Sequence, residues 1–254
     1  MSSAVKNAEL GAELAGTTLG DLFSDRGIDA AERIRSAAVY LFATRGFAAT
    51  SIRDICSLVN LTTAGVYHHV ANKQALLADI MISGQRSINS TTRNALATAA
   101  TPERALGILV SSLTAIHGLY PMLARVTDGE LRSLEEDTPG HHDVMRLRAD
   151  YEGFWRSTLR SGTESGCFTI TDESLTRLAL MAMCTGTSVW FRPNGPRPLE
   201  SVCSEFVRIA LASVRTVGVE PGLDPAVDFD FALIPHFDWE PSAPANRVKE
   251  YTLQ

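Results

Sequence analysis

The chain has 254 residues, 45% of them hydrophobic, and its 23 Lys and Arg against 29 Asp and Glu give a formal net charge of −6. That length and apolar content allow one large domain or two modest ones and exclude a wholly disordered chain, while the acidic balance excludes indiscriminate nucleic-acid binding by the whole surface. Cys56, Cys167, Cys184 and Cys203 form no CxxC pair, so buried reduced thiols are expected rather than a disulfide framework.

Residues 1–27 are rich in Ala, Gly, Ser and Thr and read as a flexible N-terminal arm, with a fragment of helix near Leu10 to Leu14. From Ile28, the recurrence of Ile34, Ala37, Ala38, Leu41 and Phe42 predicts an amphipathic helix that ends at Arg45 and Gly46, and Phe47 then plugs the core beneath it. Thr50 or Ser51 caps a second helix, Ser51 to Val59, whose Ile52, Ile55, Cys56 and Val59 make one buried stripe. Asn60 and Leu61 form a turn, because Asn tolerates the left-handed conformation that ends a helix. Thr62 opens a third helix, to His68, in which only Val66 is clearly apolar; its exposed side presents Thr62, Thr63, Ala64, Gly65, Tyr67 and His68.

Two short helices on a tight turn can lay the second in a major groove while the first crosses the phosphates, so this stretch reads as a DNA-binding helix-turn-helix. Ala71 and Asn72 start a longer fourth helix whose first turn holds Lys73 and whose free N–H groups favour a phosphate, and it runs past Arg86 towards Ala99. The expected DNA-facing set is Thr50, Ser51, Arg53, Thr62, Thr63, Ala64, Gly65, Tyr67, His68 and Lys73. Between residues 26 and 80 six basic residues stand against four acidic, a slightly basic segment on an acidic chain.

Pro102 stands in the first turn of a fifth helix, to about Leu119, with Leu106, Leu109, Val110, Leu113 and Ile116 along one side. Pro121 breaks it, a short helical piece follows to Leu134, and Pro139 opens a long helix to about Gly162. A loop of twelve residues, SGTESGCFTITD, leads to Asp172, which caps a helix from Glu173 to Trp190 that is apolar nearly all round and therefore predicted to be buried on most sides. FRPNGPRP stops that helix. Leu199 to Val217 gives the last one, with Val202, Phe206, Ile209, Ala210 and Val214 on one stripe. These two C-terminal helices are the expected seam of a homodimer. Met122, Met145, Met181 and Met183 read as core filler.

The final stretch is rich in Pro and Asp, with Phe229, Phe231, Phe237 and Trp239 spaced through it, and is expected to pack in part along its own body or its partner. The fold class is all-α. The expected domains are a flexible arm at 1–27, a helix-turn-helix domain at 28–75, a helical ligand-binding and dimerisation domain at 76–218 and a tail at 219–254. No apolar run reaches the roughly 18 residues of a membrane span, and the start lacks the order of a signal peptide, so a cytoplasmic location is expected.

The residues from Arg33 to Leu77, RIRSAAVYLFATRGFAATSIRDICSLVNLTTAGVYHHVANKQALL, resemble the TetR family of bacterial one-component transcription regulators, through the order Gly46-Phe47, Thr50, Ile55, Tyr67, His69 and Asn72-Lys73. The resemblance implies that the helix from Thr62 to His68 reads the major groove, that Tyr67 and Lys73 hold phosphates and that Thr50 anchors the preceding helix. Asn60 stands where the family usually has Gly, Ala64 where Gly is frequent, and Val70 replaces the usual Phe.

A looser likeness, through RADYEGFWRSTLRSGTESGCF and SVWFRPNGPRP between Arg148 and Arg197, is to the actinobacterial subgroup that senses acyl-CoA thioesters in lipid or steroid breakdown. Arg148, Glu152, Arg156 and Arg160 follow i, i+4 spacing, so three guanidiniums along one helix face suit CoA phosphates. The other reading of that row is a solvated face paired with Glu152 or a neighbouring helix. Phe154, Trp155 and Trp190 are candidates for an acyl or ring system, Met183 for the pocket lining and Arg192 for a second phosphate contact.

The neighbouring His68-His69 and His141-His142-Asp143 do not read as metal sites, since adjacent helical positions point about 100° apart. No nucleophile elbow, GxGxxG, P-loop or HExxH is present, so neither an enzyme nor a cofactor is expected. The expectation is a homodimeric repressor released from a near-palindromic double-stranded operator by a small effector such as an acyl-CoA. The alternative is a helical DNA-binding architectural or activator protein with no effector.

Overall fold

In the computed structural model, which describes residues 29–216, helix follows helix from Ala30 to Val214. The arm at 1–27, the tail at 219–254 and the expected last turn of the final helix at 217 lie outside the described residues. Asp29 starts α1 (Ala30–Arg45) by accepting the Glu32 N–H at 2.8 Å, and Gly46 ends it at φ 88°, a conformation that favours glycine. Ser51 and Asp54 form a reciprocal capping box at the head of α2 (Ile52–Val59), and Asn60 closes it in the left-handed region at φ 52°. Thr62 caps α3 (Thr63–His69), and Asn72 caps α4 (Lys73–Leu96).

The body continues with α5 (Pro102–Leu119), capped by Thr101, and α6 (Pro121–Gly129), which runs into a short 3-10 turn at Leu131–Ser133. Then come α7 (Pro139–Glu164), capped by Thr138, α8 (Glu173–Thr185), capped by Asp172, α9 (Thr187–Trp190) and α10 (Leu199–Val214). Among the described residues there is no sheet, only one antiparallel bridge between Phe168 and Arg215. The all-α expectation holds. No single described helix is long and apolar enough to cross a membrane.

Two main cores organise these helices. The first joins Ile34, Leu41 and Phe42 of α1 with Ile55, Val66 and Leu76, and continues without a break through Ile116, Leu123, Val126 and Val144. The second packs Leu109, Leu113, Tyr151, Trp155, Leu159, Leu180 and Val207 around α5 and α7. Since the first core includes residues of α5, α6 and α7, the head is built against the body rather than tethered to it.

Three expectations need correction. The apolar helix from Glu173 to Trp190 is broken at Gly186 into α8 and α9, and it is not buried on most sides: Leu175 is 65% and Leu178 53% exposed, and Val189 and Trp190 are open too. Its own chain covers one side only, through Leu180 and Cys184. On α10 the buried set is Leu199, Val202, Cys203, Val207, Ala210, Leu211 and Val214, with Ile209 exposed, so the apolar face is rotated from the expected stripe. Met145, expected in the core, is exposed on α7.

A charged knot ties α5, α6 and α7 where the head meets the body. The buried His117 ring sets Nδ1 2.8 Å from the Leu113 carbonyl and Nε2 3.1 Å from Asp128 Oδ2, and Arg148 Nη1 lies 3.4 Å from Asp128 Oδ1. Burial works to raise the Asp128 pKa, but His117 and Arg148 together hold it below the ordinary carboxylate value. A carboxyl with a depressed folded pKa stabilises above its unfolded pKa, and that stabilisation is lost as pH falls through the folded value. Asp128→Asn is therefore expected to be less stable than wild type near neutral pH, with the gap closing on acidification below the ordinary carboxylate pKa. Urea unfolding across that range checks this; a gap independent of pH contradicts it.

Candidate nucleic-acid interface and body site

The head turns one polar face outward. Only Val66 of α3 is buried, which fixes the helix by its single apolar residue and leaves Thr62, Thr63, Ala64, Tyr67 and His68 exposed, with Gly65 half-buried. Tyr67 is 50% exposed, much for a large aromatic ring on a small folded unit. Gly65 lies close over the turn, where a Cβ would stand 3.3 Å from Thr62 Oγ1, and its N–H donates to that same oxygen at 3.1 Å. A shallow open cleft separates α2 from α3, with Arg53 and Ser57 on one wall and Thr62 and Thr63 on the other. Ser51 is exposed; its hydroxyl and amide bond Asp54 and hold that carboxyl below its ordinary pKa.

Two residues of the expected DNA-facing set are held inward. Thr50 is 2% exposed, and its hydroxyl donates to the Gly46 carbonyl at 2.9 Å, so its side chain closes the loop between α1 and α2 and does not reach the surface. This corrects its reading as a DNA contact and agrees with its reading as an anchor. Lys73 is half-buried. Its ammonium donates to the Phe47 carbonyl at 2.8 Å and the Thr50 carbonyl at 2.7 Å, and it lies 4.2 Å from the Phe47 ring centroid. Two of its three N–H groups thus pin the loop that carries α2, leaving one for a phosphate.

The same loop is held from the body, where Glu130 Oε1 accepts the Phe47 N–H at 3.0 Å and Oε2 accepts the Ser133 hydroxyl at 2.6 Å. Sequence reading passed over Glu130, 83 positions from its partner and in no periodic pattern.

The expected ligand residues do not form one site. Phe154, Trp155 and Met183 meet in the second core, with Trp155 fully buried. Arg148 is engaged with Asp128, and Glu152 accepts from Arg177 at 2.8 Å. Arg156 and Arg160 are exposed. Trp190 and Arg192 sit apart at the end of α9, the tryptophan edge-on to Phe206 of α10 and the arginine donating to the carbonyls of Val189 and Phe191. Eight residues assigned to one ligand are therefore divided among the core, the outer face of α7 and the bare face of α8 to α10.

Arg177, buried on α8 between Glu152 and Glu173, and Arg93, whose guanidinium lies 5.6 Å from the Phe154 ring centroid, are body cations that sequence reading did not single out. Burial pushes the Cys184 thiol up to about 12 and raises that of Cys203, so both stay protonated. Cys56 is buried and Cys167 half-buried, and all four cysteines are free.

Two family models match the chain: bacterial regulatory proteins of the tetR family over residues 34–80, and the tetracyclin repressor-like C-terminal domain over 99–214. Over 190 residues it is 25% identical to the HTH-type transcriptional repressor KstR2 of Mycobacterium tuberculosis, a match covering 72% of this chain and 91% of that protein. The solved structure of the ketosteroid transcriptional regulator KstR2 of Mycobacterium tuberculosis has the same fold, with a TM-score of 0.69 at 21% identity over 74% of this chain and 96% of that one. AibR, solved in complex with isovaleryl coenzyme A and operator DNA, gives a TM-score of 0.65 at 20% identity over 71% of this chain and 97% of its own.

Proposed function

The chain belongs to the TetR family of bacterial transcription regulators, and from that premise we propose that it is a homodimeric repressor released from a near-palindromic operator by a small effector, an acyl-CoA thioester. The repressors it resembles make it a DNA-binding regulator and not an enzyme. The observation that carries the reading is the α3 face. One buried valine seats the helix, and the small or hydrogen-bonding side chains around it stand free for base edges and phosphates.

Dimerisation is supported by the bare apolar face of Leu175, Leu178, Val189, Trp190 and Ile209 on three successive helices, a patch of the kind that a second copy covers. Two heads on a two-fold axis then address half-sites one groove-turn, roughly 34–36 Å, or a multiple apart. The effector class is supported by AibR, which shares the fold and binds isovaleryl coenzyme A. An effector weakens operator binding only by its differential affinity for the two head spacings.

Gel shifts on the operator, with and without a panel of acyl-CoAs, test this reading. Tyr67→Ala is expected to weaken binding by about tenfold, the loss of one phosphate contact, without lowering the melting temperature. Release by an acyl-CoA supports the effector class, whereas operator affinity untouched by every effector returns the chain to the architectural or activator reading.

A further inference from the structure

Hydrogen bonds from the head gather on one short stretch of the body, Glu130 to Glu135, between α6 and α7. Glu130 Oε1 accepts the Phe47 N–H at 3.0 Å, and Oε2 accepts the Ser133 hydroxyl at 2.6 Å. Gln74, in the first turn of α4, donates from its amide nitrogen to the Ser133 carbonyl at 2.9 Å, and its amide oxygen accepts the Glu135 N–H at 3.3 Å. One side-chain amide thus meets a carbonyl and an N–H of the body, much as a neighbouring strand does. Phe47 and Gln74 lie within residues 34–80, and Glu130 to Glu135 within 99–214, so this clasp joins the two halves of the chain.

The apolar contacts at the same seam are of a different kind. Leu134 is buried and Leu131 partly buried against the first core, which head and body share. Apolar burial is non-directional and tolerates a small rotation, whereas a hydrogen bond weakens steeply as its angle bends. The leucines therefore hold the head to the body, and the clasp fixes the angle between them. It grips the loop that leads into α2, because the Phe47 carbonyl is taken by Lys73 Nζ at 2.8 Å while the N–H of the same residue goes to Glu130. Lys73 closes that loop within the head; Glu130 ties it to the body.

We infer that Glu130 and Gln74 are positioning residues: by fixing the angle of the head on the body, they set the distance between half-sites that the two-headed protein accepts. The inference rests on the homodimeric reading above and adds what determines operator spacing. A folded unit the length of the head is roughly 25 Å across. A turn of about 8° at the seam then carries its far side about 3.5 Å, close to one base-pair step in a groove-turn of roughly 34–36 Å. A loosened clasp widens the range of spacings accepted and leaves the reading of each half-site to α3.

Selection of binding sites from a random double-stranded library, by the full chain and its variants, tests this. Wild type is expected to select paired half-sites at one spacing. That spacing should be favoured about tenfold over the same half-sites one base pair nearer or farther, because reaching them breaks a bond to a charged acceptor. Glu130→Ala is expected to select the same half-site sequence and to reduce that preference to about threefold or less. Its affinity for a duplex with a single half-site should stay within about twofold of wild type, since Lys73 still closes the loop. Glu130→Gln keeps an oxygen for the Phe47 N–H and an N–H for the Ser133 hydroxyl, and is expected to show the wild-type preference. Gln74→Ala opens the other half of the clasp with the same expected loss, and serves should Glu130→Ala fail to fold.

A spacing preference that Glu130→Ala and Gln74→Ala leave at the wild-type value overturns the inference. So does a single-half-site affinity that falls as far as that for the paired site, which general loosening of the head produces. A loss that Glu130→Gln shares overturns it too, by making charge and not the bond the cause. Wild type that selects only single half-sites, or no sequence, removes the homodimeric reading and this inference with it, whereas paired sites whose spacing is indifferent to the variants leave that reading standing.

Discussion

Lys73→Met is expected to lower both the melting temperature, by about 5 °C, and operator affinity, by more than Tyr67→Ala does. The stem of methionine fills the half-buried channel of the lysine, but the ammonium that joins the Phe47 and Thr50 carbonyls at 2.8 and 2.7 Å is gone, along with its contact to the Phe47 ring. Hydrogen bonds to a charged donor contribute about 1.5–3 kcal/mol each, and two carbonyls left facing a half-closed loop make a net loss of roughly 2 kcal/mol reasonable. For a chain of this size that corresponds to about 4–8 °C. The loop bears Thr50 and leads directly into the capping box of α2, so its release disturbs the helix that must cross the phosphates. Melting curves and salt-dependent gel shifts separate this pinning role from a pure phosphate contact. A lysine that only holds a phosphate leaves melting unchanged and reduces the salt slope by about one on substitution, and that outcome removes Lys73 from the loop.

What sequence reading resolved in this chain is local, and what it missed depends on contacts between distant elements. Gly46, Asn60, Pro102, Pro121, Pro139 and Asp172 punctuate the helices through their own backbone chemistry, and all the breaks they announce are present. The orientation of α7 is a different matter. Leu147, Tyr151, Trp155 and Leu159 repeat every four residues, as do Arg148, Glu152, Arg156 and Arg160 one position further on. The apolar row faces the core, which turns the adjacent row about 100° away, to its edge and outside. Arg148 and Glu152 then meet Asp128 and Arg177, while Arg156 and Arg160 are left in solvent. The apolar row was there to be read and argued against an inward arginine face. No periodicity, by contrast, announces that Glu130 will bond the Phe47 amide, or that Lys73 will turn back onto the loop before α2.

Gly162→Ala sets local propensity against packing and should resolve in favour of packing. Alanine in a helix interior is favoured over glycine by about 1 kcal/mol, so α7 taken alone predicts a gain in stability. The Phe168 ring, however, folds back across this position: a Cβ on residue 162 overlaps its Cδ2 and Cε2 atoms and lies 2.5 Å from Cγ. Phe168 has little freedom to yield. It is 2% exposed in the second core, its N–H donates to the Gly162 carbonyl at 2.9 Å, and the chain beside it is held by the Thr169 N–H to the Val214 carbonyl at 2.7 Å. Overpacking of this kind costs about 1–3 kcal/mol and more where a ring must leave its place, so a net destabilisation of roughly 2 kcal/mol and a melting temperature lower by about 4–8 °C are expected. The double variant Gly162→Ala/Phe168→Leu should then lose less than the sum of the two single changes, because the smaller side chain makes room for the new methyl group. Thermal melts of the four proteins measure that coupling. A more stable Gly162→Ala protein would mean that the ring moves aside at no cost, and that the closure of α7 against the end of α10 does not depend on this contact.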